Sequence, residues 1–231
     1  MNYKNIVKGI FIARPNRFIA HVLIGDKIEL CHVKNTGRCK ELLTDKAIVY
    51  LEHSNNIKRK TAYSLISVQK GNRLINIDSQ APNKAFFEAL SLSVITLPDL
   101  QDISTIKSEK VYGNSRFDFY IESNQQNAFV EVKGVTLEEN GVVKFPDAPT
   151  KRGLKHIHEL VNAKENGYLS YLVFVVQMNN VKYFSPNNAT QEEFGLAMQY
   201  AQEKGVKILA YECDVDTTSM SLNGCQVEVK L

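Results

Sequence analysis

The sequence predicts an α/β chain (α+β overall) in two parts, a small closed β-barrel over residues 1–80 and an α/β domain with a mixed sheet over residues 81–231. Three observations carry this expectation. Short β-branched runs separated by turn residues fill the first eighty positions. Apolar spacing changes from strand-like to helical near Ala85. Charge divides at the same place: residues 1–80 carry +8 and residues 81–231 carry −5, within an overall +3. A basic module joined to an acidic one suggests that the first attracts a polyanion.

In the first part, residues 10–13, 18–24 and 28–33 read as strands, with Gly25-Asp26 at a hairpin tip. Residues 47–52, 62–68 and 74–77 continue the pattern. So many short strands in so little chain are best satisfied by closure, which removes exposed edges. A barrel of this size with a basic face fits the OB class, which binds single strands along one side. Phe11, Phe18, Tyr50 and Tyr63 are the aromatic candidates for base stacking or for the core.

Residues 81–97 form an amphipathic helix, with Ala85, Phe86, Ala89, Leu90 and Val94 on one face after Pro82. Strands return at 115–121, 128–134 and 169–178. A helix lies before the last of these, with Thr150 as its N-cap, Gly167 as its stop and a stripe of Leu154, Ile157, Leu160 and Val161. A second helix carries the capping-box signature Thr190-x-x-Glu193 and stops at Gly205. Strands at 206–211 and 221–231 complete a mixed sheet.

Composition narrows the function. No apolar run approaches the ~18–20 residues a membrane helix needs. The N-terminus lacks the plan of a signal peptide, so the cytoplasm is the expected address. Cys31, Cys39, Cys213 and Cys225 form no C-x2-C pair and read as reduced thiols rather than zinc ligands.

The informative segment is Ser115-Arg116-Phe117-Asp118-Phe119-Tyr120-Ile121, followed by Phe129-Val130-Glu131-Val132-Lys133-Gly134. Side chains alternate faces along a strand. Phe117, Phe119 and Ile121 therefore share one face, and Arg116, Asp118 and Tyr120 the other. If residues 122–127 make a symmetric hairpin tip, Asp118 lies opposite Glu131, with Lys133 on the same side. Facing carboxylates repel, and a purely structural sheet would avoid the pairing. A hard divalent cation turns that repulsion into binding, and Mg²⁺ takes one or two carboxylates with waters and a substrate phosphate. With Lys133 to orient or activate a water, these are the parts of metal-assisted phosphodiester hydrolysis.

The chain also resembles the sugar fermentation stimulation protein A family along essentially its whole length. The matching stretches include Arg14-Pro15-Asn16-Arg17-Phe18, His32-Val33-Lys34-Asn35-Thr36-Gly37-Arg38, Glu131-Val132-Lys133-Gly134-Val135-Thr136-Leu137, Phe145-Pro146-Asp147-Ala148-Pro149-Thr150 and Arg152-Gly153-x-Lys155-His156. The resemblance implies an N-terminal OB-like domain, a PD-(D/E)xK nuclease-like domain, DNA binding and a link to maltose utilisation. Asp118, Glu131 and Lys133 match the nuclease signature, with Mg²⁺ or Mn²⁺ held by Asp118, Glu131 and the Val132 carbonyl. Glu88 fits the place of a further acidic residue on the preceding helix. Phe117 stands where the superfamily often has Pro.

Phosphate contacts are expected from Arg14, Arg17, Lys34 and Arg38 in the first part, and from Lys151, Arg152 and Lys155 on the helix after Thr150. The Asn35-Thr36-Gly37 turn could add backbone N–H groups. DNA is the expected partner ahead of RNA. Three readings stay open: a metal-dependent nuclease, a non-catalytic DNA-binding regulator of sugar metabolism, and a carbohydrate-binding module. The absence of Trp and the basic first part count against the third.

Overall fold

Six short strands of β-branched and aromatic residues build the first part. A computed structural model describes residues 1–35 and 37–231. The strands are β1 (Ile6–Asn16), β2 (Ile19–Ile24), β3 (Lys27–Val33), β4 (Ile48–His53), β5 (Tyr63–Lys70) and β6 (Arg73–Asn76). They run in the order β3-β2-β1-β4-β5-β6, and a parallel β3–β5 pairing closes the first five into a ring. That closure makes the five-stranded barrel of the OB class. Gly25 takes φ +58° at the β2–β3 tip, which a residue with a Cβ adopts only under strain. Val22, Cys31, Val49, Leu51 and Leu65 fill the interior with no exposed surface. Phe11 joins them in that core and is not a stacking residue. Phe18 is the exposed aromatic.

The second part begins with helix α1 (Ala81–Ser91), five residues after β6 ends. Next come β7 (Ile103–Tyr112), β8 (Ser115–Ser123), β9 (Ala128–Val135), β10 (Leu137–Glu139) and β11 (Val142–Phe145). Helix α2 (Lys151–Glu165), β12 (Leu169–Val176), β13 (Tyr183–Pro186), α3 (Asn188–Glu203), β14 (Lys207–Val215) and β15 (Met220–Gln226) follow. The main sheet runs β15-β14-β12-β9-β8-β7, with β12 parallel to β9 and β14 and the outer pairs antiparallel. The helix α1 packs on one face of this sheet; α2 and α3 pack on the other. β12 is buried along its whole length, as a parallel strand covered on both faces must be. A mixed α/β sheet domain behind a closed barrel is thus the architecture.

Several elements differ from the sequence expectation. β7 is unpredicted because its residues are largely exposed and carry no apolar alternation. It is an edge strand, where such composition is tolerated. The small sheet β10-β11-β13 is also new; two of its strands have four residues and one has three. α1 stops at Ser91 rather than 97, because Ser93 turns left-handed at φ +57°. The Thr190 capping box does not form. Asn187 is the cap position, and Gln191 breaks helical geometry while its side chain accepts from the Thr150 amide.

The charge asymmetry finds part of its outlet between the two parts. Lys70 and Arg73 of the barrel both pair with Glu138, at 2.6 and 3.1 Å. Glu138 is 7% exposed and also accepts from the Gly141 amide. Asn76 and Gln177 join the parts nearby: the Asn76 amide donates to the Gln177 carbonyl, and the Gln177 amide nitrogen donates to Asn76 Oδ1, both at 3.0 Å. Removing the shared acceptor strands two cations in a half-dry seam. Glu138→Ala is therefore expected to lower stability by about 2–3 kcal/mol in a denaturant titration. An unchanged midpoint would show that the seam does not depend on this carboxylate. Among the described residues no helix is long and apolar enough to cross a membrane.

Candidate functional site

The site grows from the end of the β8–β9 hairpin. Phe119 faces Val130, Tyr120 faces Phe129 and Ile121 faces Ala128, which is the register inferred from a symmetric tip. The ladder ends there. Instead of standing beside Glu131 in a regular pair, Asp118 turns its carboxylate onto the backbone. Its Oδ2 accepts from the Val132 amide at 2.8 Å, and its Oδ1 accepts from Asn83 Nδ2 at 2.8 Å. Strand alternation fails at the same point. Phe117 packs on Phe129 and the His156 ring, whereas Phe119 packs on Phe86 and Phe87 of α1 across the sheet. Alternation alone predicts Phe117 and Phe119 on one face. The structure instead places them in the two cores on opposite faces of the sheet.

Glu131 is 3% exposed and meets two donors on one oxygen. Lys133 Nζ donates to Oε1 at 2.5 Å, and His156 Nδ1 of α2 bonds to the same atom. The other oxygen, Oε2, is buried and has no hydrogen-bond partner among the described residues. An ionised carboxylate oxygen left bare in a protein interior is costly. Burial pulls the Glu131 carboxyl upward, but the bonds from His156 and Lys133 outweigh it and hold it below the usual carboxylate range. Asp118 goes the other way. Burial first, and the neighbouring Glu131 charge second, push its carboxyl up despite the Val132 and Asn83 bonds. Two acids with environments that drive them apart, one with an unused oxygen, describe a place short of positive charge.

That is the fit expected of a divalent cation: oxygen donors, excess negative charge and an orphaned buried acceptor. Two acidic side chains, Asp118 and Glu131, lie near enough for the charge of one to act on the other. Among the described residues no group of three or more His, Cys, Asp or Glu side chains has metal-holding geometry. Waters and a phosphate would have to complete the shell, as Mg²⁺ commonly allows.

Glu88 lines the same cleft as Asp118 but does not meet it directly. Its carboxylate pairs with the N-terminal ammonium of Met1 at 2.6 Å. What α1 contributes is Asn83, more than one turn earlier. Nothing in the sequence marked Asn83; only the packing of α1 against β8 does. Gly134 sets that approach, since a Cβ there would lie 2.7 Å from Pro82 Cγ and 2.5 Å from Gln177 Oε1. Asp118 and Asn83 open onto a cleft of about 650 Å³ floored by Phe87 and Phe119. A second cleft of about 400 Å³, bordered by Arg17, Gly134 and Thr150, runs between the barrel loop and α2.

The expected phosphate contacts separate into two groups. Arg14 is not free: its guanidinium donates to the carbonyls of Arg17, Asn35, Gly37 and Arg38 at 2.6–2.9 Å. Lys34 is held by Asp78 at 3.0 Å, on a carboxylate only 3% exposed. Both build the loop rather than greet a ligand. Arg17 is exposed and lies over the Phe18 ring at 5.0 Å, and Arg38 is exposed while its amide is pinned to Asp147. Thr36, from the turn expected to meet phosphate, lies outside the described residues. On α2, Lys151 is exposed, Lys155 donates to the Asn114 carbonyl at 2.5 Å, and Arg152 reaches His156.

The two groups should respond differently to truncation. Arg14→Ala is expected to cost about 2–3 kcal/mol of stability by leaving several carbonyls unpaired. Arg38→Ala should leave the melting temperature alone. If nucleic acid binds here, Arg38→Ala should lower the slope of log affinity against log salt by about 1. Equal stability effects from the two variants would contradict this division.

Comparison with known proteins completes the description. Residues 12–77 match the family described as the SfsA N-terminal OB domain, and residues 80–219 match the Sugar fermentation stimulation protein RE domain. The chain is 53% identical over 231 residues to a sugar fermentation stimulation protein homolog of Ruminiclostridium cellulolyticum, covering 100% of both chains. It is 53% identical over 222 residues to the homolog of Clostridium beijerinckii, covering 96% of each. The solved structure of Pyrococcus furiosus SfsA in complex with Ca²⁺ is 30% identical, with a TM-score of 0.89 over 100% of this chain and 98% of that one.

Proposed function

This chain belongs to the sugar fermentation stimulation protein family, and on that premise we propose that it binds DNA and hydrolyses its phosphodiester bonds with a divalent cation. The single observation that carries this reading is the buried Glu131 Oε2, without a hydrogen-bond partner among the described residues, on a carboxylate near enough to raise the Asp118 carboxyl. The Ca²⁺ in the related Pyrococcus furiosus structure supports a hard divalent ion in this family. Asp118, Glu131 and the Val132 carbonyl would hold it. A bound Mg²⁺ or Mn²⁺ would neutralise phosphate charge and make a water more acidic.

The chain's own groups do the rest. His156 and Lys133 together hold the Glu131 carboxyl low, and the Lys133 ammonium would orient a water against the phosphate. Asn83 and the Val132 amide fix Asp118 so that its rotamer needs no reorganisation on binding. Arg17, Arg38 and Lys151 supply backbone contacts, which carry affinity but little sequence preference. A DNA substrate implies a cytoplasmic setting.

A second reading is a DNA-binding regulator of sugar metabolism without turnover. A donor set of only two acidic side chains among the described residues favours it. Labelled single- and double-stranded DNA and RNA, incubated with Mg²⁺, Mn²⁺ or EDTA, separate the two. Metal-dependent cutting that vanishes in Lys133→Ala, while binding persists, is the expected result. Intact substrate under every metal, with salt-sensitive binding retained, would leave only the regulator.

A further inference from the structure

The proposed cation site assigns work to Asp118, Glu131 and Lys133 but leaves a buried histidine without a role. His156 sits on α2, 4% exposed, between the Phe117 ring edge and the Glu131 carboxylate. Its two nitrogens have different partners. Arg152, one turn earlier on the same helix, donates its Nε–H to His156 Nε2 at 3.3 Å. A guanidinium is a donor only. The nitrogen it faces must therefore accept, and the ring proton must sit on Nδ1, where the partner is Glu131 Oε1.

We infer that His156 is a positioning residue for the cation site, holding Glu131 by an Nδ1–H donor whose tautomer Arg152 fixes. The inference rests on the cation reading above. Its geometry explains why the orphaned oxygen is Oε2: Oε1 takes both Lys133 and His156, which restrains the carboxylate torsion and leaves Oε2 without a partner among the described residues. Lys133 alone could not do this, because a flexible ammonium fixes charge but not carboxylate orientation. The Arg152–His156–Glu131 line is thus an orienting relay of the kind that outer partners provide to metal ligands. It also gives Arg152 a role other than the phosphate contact expected from its place on a basic helix face. No sequence motif announces it. Arg152 and His156 are merely four apart, and Glu131 lies on another element.

Two measurements on the full chain test this. Long-range ¹H–¹⁵N spectra of histidine-labelled protein, with the His156 signals identified by their loss in His156→Asn, should show the Nδ1–H tautomer. Arg152→Gln should release it to a mixture. Calorimetric titration with Mn²⁺ alone should show about ten- to hundredfold weaker binding for His156→Ala. His156→Asn, whose amide carries an N–H near the Nδ1 position, should recover most of the loss. A merely structural histidine would lower the melting temperature of both variants without separating their Mn²⁺ affinities. An Nε2–H tautomer in the wild type, or wild-type Mn²⁺ affinity in His156→Ala, overturns the inference. If His156→Ala does not fold, unchanged Mn²⁺ affinity in Arg152→Gln overturns it instead. A wild-type chain that takes up no Mn²⁺ at all overturns the cation reading itself, and is told apart by the blank in the unmutated protein.

Discussion

Glu131→Ala is expected to destabilise the protein by about 3–5 kcal/mol and to abolish its response to Mn²⁺. The size follows from what the carboxylate leaves behind. Lys133 is 16% exposed and His156 side-chain exposure is 5%, so both lose their acceptor in an environment water barely reaches. A buried partner stripped of its counter-charge costs more than the intact pair contributes. The pH dependence has a definite sign. Glu131 is held below its ordinary range by His156 and Lys133 against the pull of burial. Its contribution is therefore complete above the normal glutamate range and is lost as pH falls through its depressed value. Acid unfolding curves of wild type and variant should converge at low pH and separate near neutrality. Curves offset equally at every pH would mean the carboxylate acts by packing alone.

Asp118→Asn is expected to remove metal-dependent cleavage by a factor of about 10²–10³ or more, while leaving the metal-free fold as stable as before or more so. Here the sign of the electrostatics is reversed. Burial and the Glu131 charge raise the Asp118 carboxyl. A raised group lends stability below its unfolded value and loses that stability as pH rises through its folded value. Once ionised, this carboxylate is an unfavourable charge in the metal-free wild type, which a neutral amide at this position would not be. The amide also fits its neighbours: its oxygen can accept from Val132, and Asn83 can turn over to present its own oxygen. Melting in EDTA, then in excess Mn²⁺, should give a wild type that rises with metal and a variant that does not. A variant clearly less stable than wild type in EDTA would show Asp118 to be a structural anchor. The two substitutions thus share a functional outcome and differ in stability. A single story of lost charge would not produce that.

Net charge is a partial guide. The barrel's excess of cations suggests a polyanion surface, and Arg17 and Arg38 remain exposed for one. Yet Lys34, Lys70 and Arg73 pair with Asp78 and Glu138, and Arg14 is committed to four carbonyls. A count of lysines and arginines cannot tell a cation facing solvent from one that ties a loop or a seam, because both raise the same sum.

Local pattern in the chain specified the barrel, the mixed sheet, the hairpin register and the nearness of Asp118 to Glu131 and Lys133, but not their regular pairing. These follow from local periodicity, turn residues and strand-length matching, which are written along the chain. Tertiary structure alone decided where β8 parts from β9 and so turns Asp118 onto the Val132 amide. It also brought Asn83 onto Asp118, tied Glu88 to the Met1 ammonium, and set His156 and Arg152 against Glu131. Each depends on how α1 and α2 pack against the sheet. Contacts between elements distant in sequence are selected by packing the whole core at once, and no local pattern records that choice.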